Sequence, residues 1–89
     1  MPELSPFAKS LVAILNNVSE IIVKSSNREM AKDEMKAFQL YAKGKNFAIP
    51  MAKVESFLDV LLDSRPYTLS RILQDIAADI VRNDLKKRS

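Results

Sequence analysis

The 89-residue sequence contains no cysteine, no histidine and no tryptophan, and it contains only one glycine. Without cysteine and histidine, the chain has no disulfide, no common zinc ligand set, no Ser-His triad and no Cys-His dyad. A phosphate-binding loop needs several glycines in register, so a single glycine excludes that motif as well. We therefore expect no metal ion and no cofactor, and no catalytic residue of these types.

Carboxylates remain as candidates for acid–base chemistry. Glu55, Asp59 and Asp63 recur every four residues along one predicted helix, and Asp75 and Asp79 do so along another. A catalytic carboxylate usually needs burial or a close like charge that shifts its pKa. Helical geometry instead places these side chains on the polar side of the apolar stripes, which favours a solvated surface. We call the first three residues the acidic ridge, and we interpret the protein as a non-enzyme.

A long uninterrupted hydrophobic run is also missing. The segment 7–23 comes closest, but Lys9, Asn16, Asn17 and Glu20 interrupt it, whereas a membrane span needs roughly 18 apolar residues. The first residues lack the basic region that opens a signal peptide. The absence of cysteine fits a reducing compartment. We therefore predict no membrane span and a cytoplasmic location.

Four apolar stripes with the spacing i, i+3, i+4, i+7 run through the sequence, which is typical of amphipathic helices. They predict helices at about 6–24, 28–43, 51–64 and 68–87. The short connections favour antiparallel packing of neighbouring helices. The sequence therefore predicts an all-α fold, a compact antiparallel four-helix domain that occupies residues 1–89 as a single unit.

Capping signals predict where these helices begin and end. Ser5 is a good N-cap for the first helix. Ser26 fits a capping box at the start of the second helix, with Asn27 as the competing cap. Gly44 is suited to the left-handed position that ends this helix, and Thr68 is the predicted cap of the fourth.

The third helix has the widest apolar face, because Val60 lies outside its main stripe, and we expect it to be the central helix. Val12 and Val23 broaden the stripe of the first helix in the same way. Small domains bury little apolar surface per residue, and oligomerisation is a common remedy. We therefore expect a homodimer.

The candidate functional surface is a row of basic residues along the second helix. Its members, which we call the basic strip, are Arg28, Lys32, Lys36, Lys43 and, just after the helix, Lys45. The helical members fall within an arc of about 80°. This pattern is typical of a docking site for an acidic protein surface, phosphates or acidic lipid, and equally of a solvated face. Pairing with the acidic ridge is a third interpretation, either within one chain or between chains.

Segment 45–50 and the two helices that follow it have the outline of a ribbon-helix-helix DNA-binding unit, in which the helix start at 68–71 would hold a phosphate. The strand would present Lys45, Phe47 and Ile49, which is too apolar a face for base reading. A helix-turn-helix is also disfavoured, because no helix begins with several base-reading polar residues. A DNA-binding regulator of either type is the alternative prediction, and it rests on the ribbon-helix-helix outline.

Elimination of these chemistries leaves non-catalytic binding to another protein. The formal net charge of +3 permits an acidic partner. Small cysteine-free helical proteins include phage-encoded inhibitors, secretion chaperones and bacteriocin immunity proteins, an analogy of fold class alone. We accordingly predict a small regulator, adaptor or inhibitor that covers a surface of another protein.

Overall fold

A computed structural model of the chain describes residues 3–88, and 81% of it is helical. The elements are α1 (Pro6–Glu20), a π-helical turn (Ile21–Ser25), α2 (Arg28–Gly44), α3 (Met51–Val60) and α4 (Pro66–Arg88). The described residues contain no strand. The predicted all-α four-helix domain is therefore confirmed.

The first helix begins as the sequence predicts. The Ser5 hydroxyl accepts a hydrogen bond from the Ala8 N–H at 3.1 Å, and Pro6 occupies a first-turn position where its missing N–H costs nothing. The predicted helix 6–24 is continuous in the structure and reaches Ser25, and its last five residues, Ile21–Ser25, form the π-helical turn. There the Ser25 hydroxyl donates a hydrogen bond to the Ile21 carbonyl at 2.7 Å.

The ends of α2 differ from the prediction in two ways. Asn27 is the cap, because its Oδ1 accepts from the Met30 N–H at 3.0 Å, whereas Ser26 adopts a left-handed conformation with φ 55° and ends the preceding helix. Gly44 remains helical, and Asn46 takes the left-handed position with φ 54°. Asparagine tolerates this conformation better than most residues other than glycine, so the chain reverses at Asn46, two residues after the last helical residue, and not at Gly44.

The boundary between α3 and α4 also shifts. The third helix ends at Val60 and continues as a turn, short of the predicted residue 64. The fourth helix begins at Pro66, so Thr68 lies inside its first turn and is not the cap. A proline fits the first helical position because its fixed φ suits a helix and no N–H is needed there.

The core is built around α1, which packs along both α4 and α2, whereas α3 packs on α4 and only lightly on α2. The prediction that the third helix is central is therefore wrong. At ten residues, α3 is the shortest α-helix in the described chain and contributes two buried side chains, Val54 and Phe57. The buried stripe of α1 comprises Ala8, Leu11, Leu15 and Val18.

Length and composition alone would allow the helical segment Pro6–Ser25 to cross a membrane, with a mean hydropathy of 1.2 over its best window. The apolar stripe of this segment is packed in the core of the fold, since Leu11, Leu15 and Val18 are at most 1% exposed. A core helix meets the same length and composition criteria. The absence of a membrane span stays a prediction.

A buried carboxylate joins the two ends of the chain. Asp84 on α4 is 3% exposed, and its carboxylate accepts hydrogen bonds from the Ser5 backbone N–H and the Ser5 hydroxyl, both at 2.8 Å. The residue that caps α1 is thereby held against the last turns of α4.

Candidate protein-binding groove

The first member of the basic strip makes a structural contact. Arg28 is half-buried, and its Nη1 donates to the Leu61 carbonyl at 2.8 Å and to the Ser64 carbonyl at 3.0 Å. Carbonyls at the end of a helix lack intrahelical donors and carry partial negative charge. Arg28 therefore holds the start of α2 against the turn that follows α3. The sequence pattern did not indicate this contact, because the two segments are far apart in the chain.

The four lysines of the basic strip have no acidic partner among the described residues. Lys32 is half-buried, and Lys36, Lys43 and Lys45 are exposed. The acidic ridge is exposed too, and none of its carboxylates pairs with these lysines within residues 3–88. Within the described residues, the fold therefore contains no ion pair between the basic strip and the acidic ridge.

An open groove of about 610 Å³ lies where the end of α2 meets the start of α3. We call it the corner groove, and it is lined by Gln39, Leu40, Lys43, Asn46, Phe47, Ala48, Ile49 and Met51. Leu40 is 71% exposed and Met51 is 46% exposed. Large apolar side chains are therefore available to a ligand in the groove, and a lysine of the basic strip stands beside them.

The turn after α2 builds this groove. Asn46 reverses the chain in its left-handed conformation, and the Phe47 N–H returns to the Ala42 carbonyl at 2.9 Å. The Phe47 ring is then held from the other side, with the Phe7 ring centroid at 5.5 Å and the Lys87 Nζ at 5.0 Å from its centroid. The floor of the corner groove is therefore anchored on α1 and α4.

A second groove of about 380 Å³ adjoins the first. It is lined by Ala48, Asn83, Lys86 and Lys87, and we call it the α4 groove. Ala48 lines both grooves. The sequence analysis missed this surface, because the lysine pair at the end of α4 is also what a helix C-terminus favours electrostatically.

Of the carboxylates considered for catalysis, Asp79 lies in a protected position. Its side chain is 16% exposed and contacts Lys53 Nζ on α3 and Arg82 Nη1, both at 2.8 Å. The hydrogen bond from Lys53 is the main cause that lowers the pKa of Asp79, and Arg82 adds to it. This carboxylate is therefore ionised at neutral pH and links α3 to α4. No group of three acids among the described residues is placed to hold a metal ion.

The outline of a ribbon-helix-helix unit does not recur in the fold. Residues 47–50 form no strand in the described chain. The helix start expected at 68–71 lies inside α4, where the Leu69 N–H already donates to the Arg65 carbonyl at 3.1 Å. The Ser70 hydroxyl is hydrogen-bonded to that of Ser19 on α1 at 3.0 Å. The Leu69 N–H and the Ser70 hydroxyl are therefore already hydrogen-bonded within the fold.

Comparison with protein-family models, with characterised proteins and with solved structures finds no significant match for this chain. The function is therefore argued from the two grooves and the lysines around them.

Proposed function

We propose that this chain is a non-catalytic binding module and that it binds another protein through the corner groove. The partner presents an apolar side chain together with acidic residues. The observation that carries the proposal is the placement of exposed Leu40 and Met51 beside Lys43, a lysine without an acidic partner in the described chain. We also propose, from composition, that the protein acts in the cytoplasm.

The apolar side chains supply affinity. Complete burial of a leucine side chain is worth about 1.5–3 kcal/mol, and Leu40 is 71% exposed. Covering Leu40 with an apolar partner side chain would therefore contribute about 1–2 kcal/mol, or about 5- to 30-fold in affinity. The volume of the groove, about 610 Å³, lies within the range of ordinary ligand sites.

The lysines supply the preference for an acidic partner. Charges at the rim of an interface mainly raise the association rate and select partners of opposite charge. Lys43 and Lys45 are exposed, and the chain as a whole carries a net charge of +3. Binding should therefore weaken as salt concentration rises, because exposed charges are screened.

Two synthetic peptides test the proposal by nuclear magnetic resonance titration. One is an amphipathic helix with leucine on one face and glutamate on the other, and the second is a short chain in which valine and glutamate alternate. Binding of either peptide with amide shifts centred on Leu40, Asn46 and Phe47 supports the proposal. Failure of both peptides, or shifts confined to other surfaces, would overturn it.

Matched variants localise the effect. Leu40→Ser should lower peptide affinity by about 5- to 30-fold, whereas Leu62→Ser, which removes a leucine of similar exposure (64%) outside the groove, should leave it unchanged. Lys43→Gln with Lys45→Gln should slow association, and Lys24→Gln serves as the charge control. Equal losses from Leu40→Ser and Leu62→Ser would contradict a specific groove.

Nucleic acid is the competing ligand for a basic surface. Phosphate contacts release counterions, so binding to duplex DNA would fall steeply with salt whatever the base sequence. Tighter binding to duplex DNA than to either peptide, lost in the variant that carries Lys43→Gln and Lys45→Gln, would overturn the proposal and favour the DNA-binding alternative.

Exposed apolar side chains outside the corner groove are available for self-association, since Val23 is 60% exposed and Leu62 is 64% exposed. We propose a homodimer that covers apolar surface of this kind. Sedimentation should give a mass about twice that of the 10.0 kDa chain. A monomer at tens of micromolar protein would contradict the dimer without affecting the corner groove.

A further inference from the structure

We infer that the partner binds as an extended chain, laid across Ala48, with apolar and acidic side chains in alternation. This inference rests on the proposed function and adds the backbone conformation and the sequence pattern of the partner. It depends on two features of the turn between α2 and α3: backbone N–H groups that have no partner among the described residues, and two grooves that share Ala48 and are lined by different side chains.

The backbone of this turn has unused hydrogen-bonding groups. The Phe47 N–H is bonded to Ala42, and the Pro50 carbonyl accepts from Lys53 and Val54. Between them, the N–H groups of Ala48 and Ile49 donate to no atom of the described residues. Ala48 is exposed. Unpaired backbone groups on an accessible segment are what an added strand uses when it binds.

The conformation of the turn suits such pairing. Ile49 precedes Pro50, and a residue before proline is restricted to the extended region because the proline ring excludes the helical one. The segment is also held at both ends, by the ring of Phe47 against Phe7 and by the start of α3. The free amide groups are therefore presented on a supported backbone, which lowers the entropy lost on binding.

The side chains of the partner follow from the two grooves. Successive side chains of an extended chain point to opposite sides. Leu40 and Met51 line the corner groove together with Lys43, whereas Lys86 and Lys87 line the α4 groove. Because Ala48 lines both grooves, we expect one set of alternate side chains to be apolar and the other to be acidic. A helical partner would place its apolar and acidic residues with a period of 3.6 and would leave the free amides unused.

The two peptides used above distinguish these conformations. We expect the alternating valine–glutamate peptide to bind more tightly than the amphipathic helical peptide. It should protect one of the two amides, Ala48 or Ile49, from hydrogen exchange, because neighbouring residues of an extended segment direct their N–H groups to opposite sides. The Arg65 amide, which donates to no atom of the described residues, is the control and should stay fast. Tighter binding of the helical peptide, or unprotected Ala48 and Ile49 amides in the complex, overturns this inference while the proposed function stands.

Methylation of the peptide backbone tests the hydrogen bonds directly. In an extended pairing, alternate residues of one strand direct their backbone groups toward its neighbour. Of two alternating peptides that are N-methylated on opposite sets of residues, one should therefore lose about tenfold in affinity and the other should bind normally. Equal affinity of both isomers contradicts backbone pairing. Absence of binding by every peptide overturns the proposed function as well.

Discussion

The buried carboxylate of Asp84 should be among the most sensitive polar positions in the protein. It accepts two hydrogen bonds from Ser5 at 2.8 Å, and hydrogen bonds to a charged group contribute about 1.5–3 kcal/mol each. Ser5 is half-buried, so water can replace part of what Asp84→Ala removes. We expect this substitution to lower the free energy of unfolding by about 2–4 kcal/mol.

That loss is large for a chain of this length. A domain of 89 residues has a total stability of about 4–13 kcal/mol. Asp84→Asn keeps the shape and one acceptor oxygen, so it should cost about 1–2 kcal/mol. The matched control is Asp75→Ala, which removes an exposed aspartate from the same helix and should change stability by about 0.5 kcal/mol or less.

Urea unfolding followed by far-ultraviolet circular dichroism measures these differences, and a double-mutant cycle with Ser5→Ala assigns them. Ser5→Ala removes the hydroxyl that caps Ala8 and bonds Asp84, but it leaves the backbone bond to Asp84 in place. The coupling energy between the two positions should be about 1–2 kcal/mol. Equal stability of the Asp84→Ala and Asp75→Ala variants, or zero coupling with Ser5, would refute the reasoning.

Three further predictions concern the contacts that hold α3. Arg28→Gln should lower the free energy of unfolding by about 1–3 kcal/mol, because it removes the charged donor to two carbonyls, whereas Lys36→Gln should have no measurable effect in the same urea titration. The pKa of Asp79 is lower in the folded protein than its ordinary value of 3.8, so ionised Asp79 stabilises the fold at any pH above 3.8. This stabilisation is lost as the pH falls below 3.8 toward the pKa of the folded state. The difference in stability between the native protein and Asp79→Asn should therefore shrink on acidification. Phe57→Ala should cost about 3–5 kcal/mol, measured as a large fall in Tm, because the side chain of Phe57 on α3 is fully buried in the core. A Tm close to that of the native protein would contradict this placement.

The helices could be predicted because their determinants are local. Apolar residues at helical spacing and a serine followed by proline indicate a helix wherever they occur, and α1 and α2 begin at the predicted residues. The start of α4 was displaced by two residues because two local signals compete there. Pro66 and Thr68 both favour a helix start, and the chain uses the proline.

The candidate site was predicted only in part. Lys43 of the predicted basic strip lines the corner groove, but the strip also included Arg28, whose partners are the carbonyls of Leu61 and Ser64. Helical periodicity reports which side chains share a face. It carries no information about which distant segment packs there, so a structural arginine and an exposed lysine are indistinguishable on a helical wheel.

The sequence by itself determined the all-α class, the approximate extent of each helix and the lack of cysteine and histidine chemistry, because composition and nearest neighbours along the chain decide these properties. Tertiary structure alone decided that α1 is central, that Asp84 binds Ser5 and that Ala48 lines both the corner groove and the α4 groove. These features join residues far apart in the sequence, such as Ala48 and Lys87. They arise from how amphipathic helices of unequal length bury their apolar faces together, a condition that acts on the whole chain at once.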